Sequence, residues 1–291
     1  MARLGGCGGL YRGYLGTRHR SGGKTLSLVI TGETFPGTEW IRDGRVLRRG
    51  KTAWWMPSDY QAGPRHQDTS ILVGHWTAGE AGIKTTEDDG YRVVSAMQHR
   101  MSRKHPDQRL KVSVGFVIGA CDPDDQWAPV WQTMDIGTTT GVHVGSRHIN
   151  RRSIGVEIVN AGVPGRLNSR RRPQESRVIN GNTKTVLQYY PGQIRTWQRL
   201  ALLLTTTPAE ARCKPSLAVA NALHDAGIII PRSVPFIDGK MLNQKMARKQ
   251  AYAYSGVMEH HHMYNTKKID AANYLVEACE DMGFVGKPID K

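Results

Sequence analysis

Ser70-Ile71-Leu72-Val73-Gly74-His75-Trp76 is an apolar run that ends on a histidine, and the turn residues Thr77-Ala78-Gly79 follow it. A short apolar run bounded by turn chemistry reads as a buried strand. The pattern recurs at Ser153-Ile154-Gly155-Val156-Glu157-Ile158-Val159, where the one ionisable side chain is Glu157. Burying a carboxylate is costly without a partner or a task. Glu157 is therefore either half of a buried ion pair or a working acid–base group. Residues 112–118 and 129–133 are two more strand candidates, joined by the turn Cys121-Asp122-Pro123-Asp124-Asp125-Gln126. Residues 91–101 carry Val94, Met97 and Met101 at helical spacing.

Towards the N-terminus, residues 1–24 are glycine-rich and basic, and residues 26–31 form a short strand candidate. Residues 39–47 read as a hairpin turning on Asp43-Gly44. Arg45, Arg48, Arg49 and Lys51 make its far side positive. Residues 1–65 are thus expected to be a basic extension, either a polymer-binding arm or a lid, and residues 66–291 the main domain. Within that domain, residues 164–190, with Arg166, Arg170, Arg171, Arg172 and Arg177, read as a long basic surface loop. Residues 228–252 read as a second irregular basic insertion. Helix signals run from Pro191-Gly192 through Leu204 and again over residues 216–226. Gly256-Val257-Met258 is expected as the final strand, and residues 270–282 as an amphipathic helix that Asp270 can N-cap. Strands interleaved with helices in this order point to an α/β fold, a central mixed β-sheet flanked by helices.

The 291 residues are 39% hydrophobic and 22% charged, a globular composition. The formal net charge of +15 favours polyanionic partners: nucleic acid, an anionic membrane surface or an acidic wall polymer. No aromatic-plus-basic motif or zinc-finger spacing supports specific nucleic-acid recognition. Cys7, Cys121, Cys213 and Cys279 form no close pair and read as reduced thiols. No apolar run reaches a transmembrane length, and the N-terminus has no continuous apolar core of a signal peptide. Synthesis in a cytoplasm is the expectation.

The closing chemistry is Glu259-His260-His261-His262-Met263-Tyr264-Asn265-Thr266-Lys267-Lys268-Ile269-Asp270. Alone, a histidine triplet is most simply polar surface. Imidazole and carboxylate are nevertheless good zinc ligands, and a nearby ammonium suits a site where negative charge develops. His75 and His260 at strand ends and Asp270 on a following loop can converge at one edge of a sheet.

Four motifs in order carry a resemblance. His75-Trp76-Thr77-Ala78-Gly79, Gly141-Val142-His143-Val144-Gly145, Ser153-Ile154-Gly155-Val156-Glu157-Ile158 and the His260, Lys268, Asp270 spacing resemble the type 2 N-acetylmuramoyl-L-alanine amidases. That family shares its fold with peptidoglycan recognition proteins and many phage endolysins. The resemblance covers roughly residues 67–285. It implies one catalytic zinc ion held by His75, His260 and Asp270, with Glu157 as general base and Lys268 as oxyanion stabiliser. Burial would lift the Glu157 pKa into a useful range. The resemblance also implies substrate contacts by His143, Trp76 and Thr77, and peptidoglycan as substrate. His262 offers a rival register for His260; with His260 chosen, His261 and His262 are expected as exposed neighbours.

The sequence departs from the family at four places. Val114 stands where many relatives carry a tyrosine, Gly115 where histidine or asparagine is common, Glu259 where glycine is usual, and Ala271 where proline is usual. The expected setting is a phage endolysin or a virion-associated wall hydrolase acting on the bacterial cell wall. The basic extension would meet an anionic wall or membrane surface, or virion proteins. The rival readings are a non-catalytic peptidoglycan-binding module and a structural virion protein.

Overall fold

The structure, a computed structural model, describes residues 27–43, 64–65, 67–77, 93–94, 97, 112–160, 162–164, 172–211, 213–264 and 270–289. In chain order the strands and helices are β1 (Leu28–Ile30), β2 (Glu33–Phe35), β3 (Ile41–Asp43), β4 (Ile71–Trp76), β5 (Phe116–Ile118), β6 (Val130–Gln132), α1 (Arg147–Arg151), β7 (Ser153–Ile158), β8 (Gln174–Ile179), β9 (Asn182–Leu187), α2 (Pro191–Leu204), α3 (Lys214–Asp225), β10 (Ser233–Ile237), β11 (Lys240–Met241), α4 (Arg248–Ala253), β12 (Gly256–Glu259), α5 (Tyr274–Glu280) and β13 (Val285–Pro288). A single 3₁₀ turn, His260–His262, follows β12.

Six strands form the central sheet in the order β12-β4-β7-β5-β6-β3. All neighbours run parallel except β5 and β6, so the sheet is mixed, and helices flank it. Every residue of β4, β7 and β12 is buried, which fits strands covered on both faces. Leu72 and Trp76 of β4 join the larger core with Trp197 of α2 and Leu275 of α5. Ile71 and Val73 point the other way, into a smaller core with Val144, Ile149, Met258 and Met263. Period two along the strand therefore puts His75 on the small-core face. Gly74 lets α5 approach closely, since a Cβ there would collide with Leu275 Cδ1. Trp197 fixes the same contact from α2 by donating its indole N–H to the Leu275 carbonyl at 2.9 Å.

Several elements differ from the sequence expectations. Residues 174–187 are not a loop but the antiparallel hairpin β8–β9, turning on Asn180 (φ 52) and Gly181 (φ 73). Arginine density hid a turn pair with strong hairpin preference. Arg172 is not surface: it is buried, and donates to the Gln188 and Val159 carbonyls and to Gln193 Oε1. Residues 233–241 form a second hairpin, β10–β11, on Asp238-Gly239, and α4 follows it. β12 is not the last strand, because β13 pairs parallel with β10.

In the N-terminal part the hairpin observed is β1–β2. Ile41–Asp43 pairs in parallel with Val130–Gln132 at the sheet edge, while Gly44 onward lies outside the described residues. Of the expected helix over residues 91–101, Val93, Val94 and Met97 are described and helical. No helix among the described residues is long and apolar enough to cross a membrane.

Candidate metal centre

Strand register assembles the site. β12 runs parallel to β4 with Glu259 beside Gly74, so the next residue, His260, comes level with His75. β7 lies on the other side of β4 with Glu157 beside His75. Asp270 arrives from the turn before α5. His75, His260 and Asp270 are all buried and form a group that could hold a metal ion. His75 Nδ1 and His260 Nδ1 stand 3.0 Å apart, His260 Nδ1 and Asp270 Oδ2 3.0 Å, and His75 Nδ1 and Asp270 Oδ2 3.7 Å.

Those separations test the fit. Ligands about 2.0–2.1 Å from a tetrahedral zinc stand about 3.3 Å from one another, and the three distances bracket that value. Proton counting points the same way. The Nδ1 of His260 carries one in-plane lobe, a proton or a lone pair, yet it has two partners at 3.0 Å. A cation at the centre of the three atoms would satisfy all of them. Two imidazoles and a carboxylate are also the donor set of known catalytic zinc sites.

The far side of His75 is fixed. His75 Nε2 lies 3.0 Å from His143 Nδ1, and His143 Nε2 lies 2.9 Å from Ser153 Oγ. The relay that leaves His75 Nδ1 free of its proton has His75 Nε2–H donating to His143 and His143 Nε2–H donating to the serine, a tautomer assigned from the network. Burial first, then the charges of His75, His260 and Arg65, hold the His143 pKa well below the ordinary histidine value. Its ring lies on Gly155, where a Cβ would come within 2.7 Å of it. His143, expected at the substrate, is thus buried behind His75.

Trp76, expected beside it, sits in the larger core against Gly162, and Thr77 exchanges hydrogen bonds with the Asn160 backbone. Val114 is fully buried, and its carbonyl accepts from the Thr133 hydroxyl. Lys268, Ala78 and Gly79 lie outside the described residues.

Two expectations about the histidine run are corrected. His261 and His262 are not exposed; both are fully buried. His262 Nδ1 accepts from the Glu259 N–H at 3.1 Å and its Nε2–H donates to the Leu242 carbonyl at 2.7 Å, which leaves neither nitrogen for a metal. His260 is the member that faces Asp270. Asp270 does not cap α5 either: the N-cap residue is Asn273, and the N–H groups of Asn273, Leu275 and Val276 go to Glu259. The departure of Glu259 from the family pattern was the one sequence signal for this arrangement.

No protein-family model and no curated protein sequence matches the chain. Among solved structures, it is similar to a complex of the N-acetylmuramyl-L-alanine amidase AmiD from E. coli with the substrate anhydro-N-acetylmuramic acid-L-Ala-D-gamma-Glu-L-Lys. That match has 20% identity over 54% of this chain and 50% of that one, at a TM-score of 0.28. The chain therefore spans half the length of the AmiD chain. A crystal structure of AmpDH3 from Pseudomonas aeruginosa is similar at 17% identity over 83% of this chain and 68% of that one, with a TM-score of 0.39.

Proposed function

We propose that the chain is a zinc-dependent N-acetylmuramoyl-L-alanine amidase, hydrolysing the amide between N-acetylmuramic acid and L-alanine in peptidoglycan. The observation that carries this reading is the convergence of His75 Nδ1, His260 Nδ1 and Asp270 Oδ2 at separations of 3.0 to 3.7 Å, with Glu157 on the adjoining strand. The order of motifs along the sequence supports it.

The two histidines and Asp270 would hold the zinc ion, which supplies Lewis acidity at the scissile carbonyl and makes water a nucleophile near neutral pH. Glu157 takes the proton of the attacking water and passes it to the departing alanine nitrogen. Lys268 donates to the carbonyl oxygen as negative charge develops there. His143 and Ser153 keep the His75 ring turned so that its Nδ1 faces the site. We assign the activity to a phage endolysin or virion-associated wall hydrolase; the net charge of +15 supports contact with an anionic wall.

Purified sacculi test the reading. The zinc-loaded chain is expected to release stem peptides with new alanine amino termini. Activity should disappear in His75→Ala and Asp270→Asn, together with stoichiometric zinc. Zinc bound one to one with sacculi left intact would overturn the amidase reading and leave a peptidoglycan-binding module.

A further inference from the structure

The turn that presents Asp270 is strained. Ala271 (φ 62), Ala272 (φ 52) and Asn273 (φ 71) are three consecutive non-glycine residues in the left-handed region. Single residues visit this region at a cost, and asparagine offsets some of it locally, but alanine has no side chain able to do so. Such a run persists only where its surroundings impose it.

The surroundings are the residues next to the other ligand. The buried carboxylate of Glu259, adjacent in sequence to His260, accepts from the Asn273 N–H at 2.7 Å through Oε2. Through Oε1 it accepts from Leu275 N–H at 2.7 Å and Val276 N–H at 3.2 Å. His261 Nδ1–H donates to the Asp270 carbonyl at 2.8 Å. His262 Nε2 lies 3.2 Å from Asn273 Oδ1, and Arg177 Nη1 donates to the Ala272 carbonyl at 3.0 Å. The backbone from Asp270 to Val276 is therefore gripped chiefly by the segment that begins at Glu259.

We propose that Glu259 is a positioning residue: its carboxylate holds the left-handed turn 271–273 and so fixes Asp270 against His75 and His260 for metal binding. One short segment would then set two of the three ligands, His260 directly and Asp270 through the turn. The inference rests on the metal reading of this site. It differs from a plain helix cap, which would stabilise α5 without setting metal affinity.

Zinc affinity of the metal-free protein, measured by competition with a chromophoric chelator, distinguishes the two. Glu259→Gln keeps the shape, removes the charge and turns one acceptor atom into a donor facing an N–H. It is expected to weaken zinc binding about 10- to 100-fold. Adding Ala271→Gly and Ala272→Gly, which take the strain out of the turn, is expected to recover most of that loss. Zinc affinity in Glu259→Gln within about twofold of the parent, whatever happens to its melting temperature, would overturn the proposal. A loss that the glycine pair does not recover at all would overturn it too.

Should Glu259→Gln alone fail to fold, the triple variant still decides: it is expected to fold and bind zinc, and a folded triple variant without zinc refutes the clamp. Absence of zinc binding by the parent chain would instead sink the metal reading. Amide exchange at Asn273, Leu275 and Val276, expected to speed up in Glu259→Gln, would then still show whether Glu259 holds the turn.

Discussion

Glu157 shows how much a single position in a sheet can decide. Its register partner is His75 on one side and Val117 of β5 on the other, so its backbone is held between two strands and the residue stays buried. Replacing it with glutamine preserves the shape of the side chain and removes the proton acceptor that the proposed mechanism requires. Turnover of Glu157→Gln on sacculi is expected to fall about 10²- to 10⁴-fold, with zinc content unchanged; turnover within tenfold of the parent would move the base elsewhere. A second residue tests the support behind the ligands. Gly155→Ala would set a Cβ 2.7 Å from the His143 ring, which Ser153 and His75 hold in place. Zinc affinity in that variant is expected to drop about 10- to 100-fold by chelator competition, and an unchanged affinity would show that His143 does not steer His75. The positions of His75 and Glu157 are legible in the sequence, because each is a polar residue interrupting an apolar strand. Those of His261 and His262 are not, because their burial depends on a clamp across residues 259–276 that no local pattern encodes.

At the scale of elements, the strands and helices around the site follow from apolar patterning, and the basic segments do not. Residues 174–187 and 233–241 carry the turn pairs Asn180-Gly181 and Asp238-Gly239 between strand-forming residues, yet their charge suggested irregular surface. The arginines are accommodated by aromatic faces and carboxylates. Arg177 lies 3.8 Å over the Tyr274 ring and pairs with Glu175 and Glu277, and Arg172 lies 4.1 Å over Tyr190. Stacking of this kind needs partners distant in sequence, which is why pattern reading misses it. Arg172 joins the β8–β9 hairpin to α2 through Gln193, whose amide also donates to the Val159 and Gly119 carbonyls. Arg172→Leu would take one donor each from Gln193 Oε1 and the Gln188 and Val159 carbonyls, leaving them the longer bond from Tyr190 N–H, the long one from Asn160 Nδ2 and that from Gln193 Nε2. It is expected to lower unfolding stability by roughly 3 kcal/mol in a urea titration; a loss under about 1 kcal/mol would show that water replaces the guanidinium.

For the whole molecule the dominant quantity is charge. A net +15 creates a long-range positive field, so first contact with an anionic wall polymer should be electrostatic and not confined to the metal site. Such attraction is screened over about 10 Å at 0.1 M salt and about 3 Å at 1 M, whereas the buried ligand cluster is shielded from bulk ions by the protein around it. Salt should therefore separate adsorption from turnover. Co-sedimentation of the Glu157→Gln variant with sacculi is expected to weaken steeply between about 0.1 M and 1 M sodium chloride. Zinc affinity over the same range should change little by comparison. Adsorption that persists undiminished at the higher salt would mean that the wall is held by shape-specific contacts, with the positive surface incidental to binding.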